Sequence, residues 1–395
     1  MAPVDEVISG LNGIGAGSFI TESERLRLSD ALLAALRRVE TPWDIACAHN
    51  WINPTTNAAI KTLIDAGVFT RWAEQGSKPL SVDELAELTG ADAVLLGRLL
   101  RHIAAQHLIN EAGKDTYAST PWALRLGTDP ALASIYGTFY HELQAPLALS
   151  LPSFLKETGF KNPTDLQNGN FQRVHGEGST FFGFISSSPL RNKEFADAMD
   201  CHARGNLLPW PEVYDTNQIV TDAKPDRALV VDVGGSKGHD LERFLEKHPD
   251  VAPGSLVLQD LPQVLEGLGG TVHPAISVRP HDFFAPQPVR GARAYFFHIV
   301  LHDWPDDRAA AILRNVAGAM EPGYSRILLY EDVVSARAPS VQLTVADMTM
   351  MMCFSTAERT EGEWRALIGG VGGLRIARIW HEPHAIGSIV EVERV

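Results

Sequence analysis

Residues 228–239, Ala-Leu-Val-Val-Asp-Val-Gly-Gly-Ser-Lys-Gly-His, decide how this chain is read. Leu229, Val230 and Val231 form a short apolar run that predicts a buried parallel strand. The run ends in Asp232, turns through Gly234, Gly235 and Gly238, and enters a helical pattern carried by Leu241, Phe244 and Leu245. Glycines at the carboxyl end of a strand let the backbone turn tightly and approach a ligand closely. The spacing is not that of a phosphate loop. Ser236 stands where Gly-x-Gly-x-x-Gly needs its second glycine, and no Gly-Lys-Ser/Thr is present. Asp232 would repel a pyrophosphate but suits a sulfonium or an ammonium. A second predicted strand, Leu256-Val257-Leu258-Gln259, ends in Asp260, 22 residues past Gly238. Doubly wound sheets place an acid there to hold two ribose hydroxyls.

Length and composition bound the rest. A chain of 395 residues favours two or more domains. Its 45% apolar and 21% charged content is that of a globular protein. The net charge of −14 argues against nucleic acid or an anionic membrane as partner. Three scattered cysteines, Cys47, Cys201 and Cys353, imply neither a disulfide framework nor a zinc site. The start is acidic (Asp5, Glu6) and Gly-rich to Gly17, unlike a secretory signal, and no apolar run reaches the ~18 residues of a membrane span. A cytoplasmic location is expected.

The organisation divides at about 125 and 215. Residues 20–125 predict helices with one small β element. Ser81 and Glu84 form a capping box, Leu85, Ala86 and Leu88 give the apolar face, and Thr89-Gly90 closes the helix. The next helix, from Asp92, carries Leu95, Leu96, Leu99, Leu100, Ile103 and Leu108. A hairpin follows around Ala112-Gly113-Lys114. This is the winged-helix order, but residues 74–125 hold five Lys/Arg against seven Asp/Glu, the wrong balance for a phosphate-facing helix. A packing or dimerisation module fits better. Residues 126–215 form an aromatic-rich helical linker, readable as core or as a pocket wall. From 216 to the end, strands and helices alternate. Strands are predicted at 228–233, 256–260, 276–279, 293–300 and 326–333, with a closing antiparallel pair, Leu374–Trp380 and Ser388–Glu393. The expected fold is α/β, a Rossmann-like seven-stranded methyltransferase sheet behind an N-terminal helical, winged-helix-like domain.

The strand Ala294–Val300 runs into Leu301-His302-Asp303-Trp304-Pro305, which puts His302 on the rim where open α/β sheets keep their sites. A structural alternative has the imidazole capping the helix that starts near Asp306. Two acids favour chemistry. Glu331 ends the apolar run Ile-Leu-Leu-Tyr, where a charge is costly without a partner. Glu358 precedes Arg359-Thr360, and Thr360 with Glu363 makes a capping box. An acid beside an imidazole raises its basicity and fixes its tautomer, so His302, Glu331 and Glu358 read as a general base with orienting partners.

In these motifs the chain resembles the S-adenosylmethionine-dependent O-methyltransferases of plant phenylpropanoid and fungal polyketide pathways, the caffeic-acid type. The resemblance runs through Phe195–Met199, Val231–Gly235, Gln259–Pro262, His281–Phe284, His302–Trp304 and Glu358–Thr360. It implies a homodimer and S-adenosylmethionine without a metal. The cofactor would be held by Asp232, Gly234, Gly235, Gly238, Asp260, Leu261, Asp282, Phe283 and His298. By the same resemblance Asp260 takes the ribose hydroxyls, Asp282 and Phe283 the adenine, and His302 removes a phenolic proton. The acceptor would lie among His141, Phe182, Met199, His202, Asp303, Met350 and Phe354, although the Met348–Met352 cluster equally suits core filling.

Two departures stand out. Plant relatives carry a lysine at the position of His298, and Ser236 replaces their third glycine, although serine tolerates positive φ poorly. A methyltransferase-fold enzyme catalysing dehydration or a pericyclic rearrangement, and a winged-helix metabolite sensor, are the competing functions.

Overall fold

The computed structural model describes residues 4–76, 78–206, 208–268, 272–335, 339–381 and 387–395, without the side chains of 16, 22, 23, 202–206 and 267. The chain separates into two compact units, Met1–Pro130 and Ala131–Val395.

In the first unit, Ser81 Oγ accepts the Glu84 amide and Glu84 returns the bond, starting the helix Val82–Thr89. Gly90 ends it at φ 73°. Asp92 caps the helix Ala93–Ala105. Its buried stripe, Leu96, Leu100 and Ile103, is narrower than the sequence pattern: Leu95 is 45% exposed. Three short strands, β1 (Leu80–Ser81), β2 (Asn110–Gly113) and β3 (Thr116–Ala118), pair in the order β1-β3-β2. The predicted turn lies slightly later, at Lys114-Asp115, because a bulge extends β2 through Gly113 and Asp115 takes the left-handed conformation at φ 49°.

The second unit is built on a seven-stranded sheet. Its strands are β4 (Val230–Val233), β5 (Leu256–Gln259), β6 (Ile276–Val278), β7 (Ala294–His298), β8 (Arg326–Asp332), β9 (Leu374–Trp380) and β10 (Gly387–Arg394). They lie in the order β6-β5-β4-β7-β8-β10-β9, and only β10 runs against its neighbours. The sequence-derived strands and closing antiparallel pair are thus recovered, with no end displaced by more than two residues. The order reverses between β4 and β7, the topological switch point where such sheets bind ligands.

Strand residues alternate between two cores. Val231, Val233, Phe297 and Leu329 pack against the helices Asp306–Ala317 and Glu361–Val371. Val230, Phe296 and Leu328 pack against Trp210, Leu241 and Phe244. Each such fully buried side chain contributes about 1.5–3 kcal/mol relative to exposure. A third core joins Leu143, Leu147, Phe154, Phe171 and Phe181 to Met352 and Cys353 of the helix Val341–Phe354. Much of the linker's aromatic content is therefore core. Among the described residues, no helix is long and apolar enough to cross a membrane.

Candidate active site

The glycine turn after β4 is built for close contact. Gly234 and Gly238 adopt φ of 79° and 81°, and Ser236 also sits at positive φ (48°), a conformation its Cβ tolerates at a cost. At Gly235 a Cβ would lie 2.3 Å from Asp232 Oδ2 and 2.6 Å from Leu258 Cδ1, so only glycine fits. A Cβ on Gly234 would stand 3.9 Å from Phe283 Cε1, which places the Phe283 ring beside the turn. Asp260 braces the turn: its Oδ2 accepts the Ser236 amide (2.9 Å) and its Oδ1 accepts that of Leu261 (2.7 Å). Asp282 Oδ1 accepts the Phe284 amide (2.9 Å), setting the turn that carries Phe283. Leu261 is half-exposed beside Asp260.

His298, at the end of β7, is not a lone substitute for a lysine. Its Nδ1 lies 2.6 Å from Asp240 Oδ2, and its ring stacks on Tyr330 at 4.6 Å. Sequence reasoning missed Asp240, whose only signal was its place in the first turn of the helix His239–Lys247, two residues past Gly238. Burial opposes the Asp240 charge, yet His298 and Arg243 hold its carboxyl below the usual range. Asp232 shows the opposite: burial, then the charges of Asp240 and Asp260, push it well up.

Both carboxylate oxygens of Asp232, His298 Nε2 and His281 Nε2 are buried without a partner. Asp232, Asp240 and Asp260 make the region acidic. Such a donor set repels a phosphate and fits a group bearing ammonium, sulfonium and ribose hydroxyls. S-adenosylmethionine fits; a dinucleotide does not.

The second cluster lies at the carboxyl ends of β7 and β8. His302 is buried in the short turn Leu301–Asp303, and its Nδ1 lies 2.8 Å from Glu358 Oε1. Its Nε2 stands 3.5 Å from Asp303 Oδ1. Glu331 Oε1 accepts the amides of Val300 (3.1 Å) and Leu301 (2.7 Å), so this buried acid holds the turn from beneath. The helix-capping alternative fails: Asp306–Ala317 begins at Pro305 with no side-chain cap. Donor atoms of His302, Glu331 and Glu358 fall within 4.8 Å of one another, a spacing metal sites share. Here His302 Nδ1 is engaged by Glu358 Oε1 and Glu331 Oε1 by backbone amides, while Oε2 of each acid is buried without a partner.

Electrostatics make the imidazole strongly basic. Burial opposes its charge, but Asp303, Glu358 with its hydrogen bond, and Glu331 raise His302 to about 10. Burial lifts Asp303 to about 7 and also raises Glu331. Asp332, beyond Glu331 on β8, is lifted by burial to about 7.

The residues expected around an acceptor are only partly brought together. Phe354 meets Phe181 (4.6 Å) and Phe182 (5.8 Å), and Phe181 meets Phe195 (5.4 Å). Phe182 is 48% exposed and Met199 36%, as surfaces open to a ligand are. Met350 is buried. His141 is exposed, in edge contact with Tyr140. The His202 side chain lies outside the described residues.

This sheet and the residues gathered at its switch point define a class I methyltransferase fold. An O-methyltransferase domain model matches residues 160–373, and an O-methyltransferase dimerisation domain model matches 55–129. The chain is 35% identical over 387 residues to the O-methyltransferase mfmE of Annulohypoxylon moriforme, covering 98% of this chain and 95% of that one. A solved structure titled "A Pericyclic Reaction enzyme" superposes with a TM-score of 0.89 at 27% identity, covering 99% of each chain. The structure of LepI in complex with SAM gives 0.88, also at 27%, covering 99% of this chain and 98% of that one. The chain belongs to the O-methyltransferase family and is an S-adenosylmethionine-dependent O-methyltransferase.

Proposed function

We propose that the enzyme methylates a phenolic hydroxyl of an aromatic secondary metabolite, with His302 as the general base. The observation that carries this reading is the buried contact between His302 Nδ1 and Glu358 Oε1. It commits Nδ1–H to the carboxylate and leaves Nε2 as the ring atom that exchanges a proton with the acceptor, taking one up only when the ring is neutral. A phenol ionises only near pH ~10, so it needs help at neutral pH.

S-adenosylmethionine, when bound, supplies an electrophilic methyl on a positively charged sulfur. Asp260 would take the ribose hydroxyls, Asp282 and Phe283 the adenine, and Asp232 with the glycine turn the methionine end. His302 takes the phenolic proton at Nε2. Glu358 stabilises the resulting imidazolium, and Glu331 holds the turn still through the Val300 and Leu301 amides. Phe182 and Phe354, backed by the buried Phe181, present an aromatic wall suited to a flat acceptor. Labelled S-adenosylmethionine offered with a panel of phenols tests this. Transfer to no phenol would count against it.

Homodimerisation belongs to the same reading. In the first unit, Val7, Ile8, Leu11, Leu33, Leu36, Trp43 and Trp51 are exposed. Apolar surface of that extent on one unit supports a partner copy.

A second reading has one observation behind it: the TM-score of 0.89 to the pericyclic enzyme. There, a bound cofactor would act as a fixed cation and the substrate would rearrange without receiving a methyl. Conversion of a substrate with no gain of label would favour it.

A further inference from the structure

Arg359 stands next to Glu358 in the chain and is 6% exposed. Its guanidinium reaches back to the turn that carries His302. Nη1 donates to the Leu301 carbonyl (2.9 Å), Nη2 to the Trp304 carbonyl (2.6 Å), and Nε to Asp306 Oδ1 (2.9 Å). Its carbon lies 5.1 Å from the Trp364 ring centroid, so the plane is also backed by an aromatic face. The two carbonyls bracket His302 in sequence, and one planar fork spans both.

The backbone of this segment is equally restrained. The Glu358 amide donates to Asp347 Oδ1 (3.0 Å), and the Arg359 carbonyl accepts from the Val334 amide (3.0 Å), just past β8. Thr360 then starts the helix Glu361–Val371 through its capping box with Glu363. Glu358 and Arg359 thus grip, from adjacent positions, the imidazole and the backbone that carries it.

We propose that Arg359 is a positioning residue for methyl transfer: its guanidinium locks the Leu301–Trp304 turn against the segment that presents Glu358, and so sets the His302–Glu358 contact. The proposal rests on the reading of His302 as the base. A lysine at 359 keeps the charge but offers donors from a single point and cannot span two carbonyls.

Arg359→Lys and Arg359→Met are compared with the wild type by thermal unfolding, calorimetric titration with S-adenosylmethionine, and kcat and KM for a phenol across pH. For Arg359→Lys the expected result is a kcat lower by roughly 10- to 100-fold, the scale of a displaced catalytic group. Cofactor affinity and KM should stay within about two-fold. The rising limb of the kcat profile should move to lower pH, because a loosened Glu358 contact raises the imidazole's proton affinity less. Arg359→Met should show the same pattern, more strongly. A folded Arg359→Lys enzyme with wild-type kcat and pH midpoint overturns the proposal. So does a loss of kcat matched by equal loss of cofactor affinity with no pH shift, which marks a purely structural role. If His302→Ala itself keeps full activity, it is the base reading that fails.

Discussion

Glu358 Oε1 lies 2.8 Å from His302 Nδ1, with both side chains buried. A buried imidazole surrounded by Asp303, Glu331 and Glu358 is costly unless it carries the balancing positive charge. The carboxylates therefore hold a proton on His302 in the cofactor-free protein, so the ring acts as a base only on the high-pH side of that titration, and the 302 turn is fixed by bonds that do not involve the ring.

That stored affinity has a consequence for stability. The folded-state pKa of His302 is raised to about 10, whereas an unfolded histidine titrates near ~6.5. The stabilisation is fully present below ~6.5 and is lost as pH rises towards 10. The cofactor-free protein is expected to lose thermal stability across that window. A His302→Gln variant should show a flatter slope, measured by unfolding at stepped pH. An unchanged slope would place the proton elsewhere.

Glu358→Gln keeps an acceptor near Nδ1 but removes the charge. The proton affinity of His302 should fall, moving the rising limb of kcat to lower pH and lowering the plateau. Cofactor titration should be unaffected. A wild-type profile would detach Glu358 from the chemistry.

Gly235→Ala puts a Cβ 2.3 Å from Asp232 Oδ2. Overpacking of this kind costs about 1–3 kcal/mol. The expected outcome is a lower melting temperature together with weakened S-adenosylmethionine binding, read by calorimetry. Unaltered affinity would remove the turn from the cofactor site.

Asp260→Ala removes the acceptor of the Ser236 and Leu261 amides. Affinity for S-adenosylmethionine should drop by at least 10-fold, about 1.4 kcal/mol, alongside a modest fall in apo melting temperature from the two lost bonds. Wild-type affinity would contradict the ribose assignment.

The sequence made the local chemistry readable. Val230–Val233, the glycine turn and Asp260 declare themselves through strand pattern and strand-end residue type, and the capping boxes at Ser81 and Thr360 through fixed spacing. What escaped it depends on distant pairing. Asp240 meets His298 across 58 residues, and Arg359 meets the Leu301 carbonyl across 58. No local pattern marks either contact. The linker was ambiguous for a related reason: which aromatics are core was settled by the packing of Met352 and Cys353 onto Phe171 and Phe181, not by composition.

The most direct test of the account is the rate of methyl transfer by His302→Ala to a weakly acidic phenol, with cofactor affinity measured in parallel. A base at position 302 predicts a fall of roughly 10²–10⁴, the worth of a positioned acid–base group, with affinity changed only a few-fold and a smaller loss for a phenol acidic enough to ionise unaided. Transfer at the wild-type rate would contradict it.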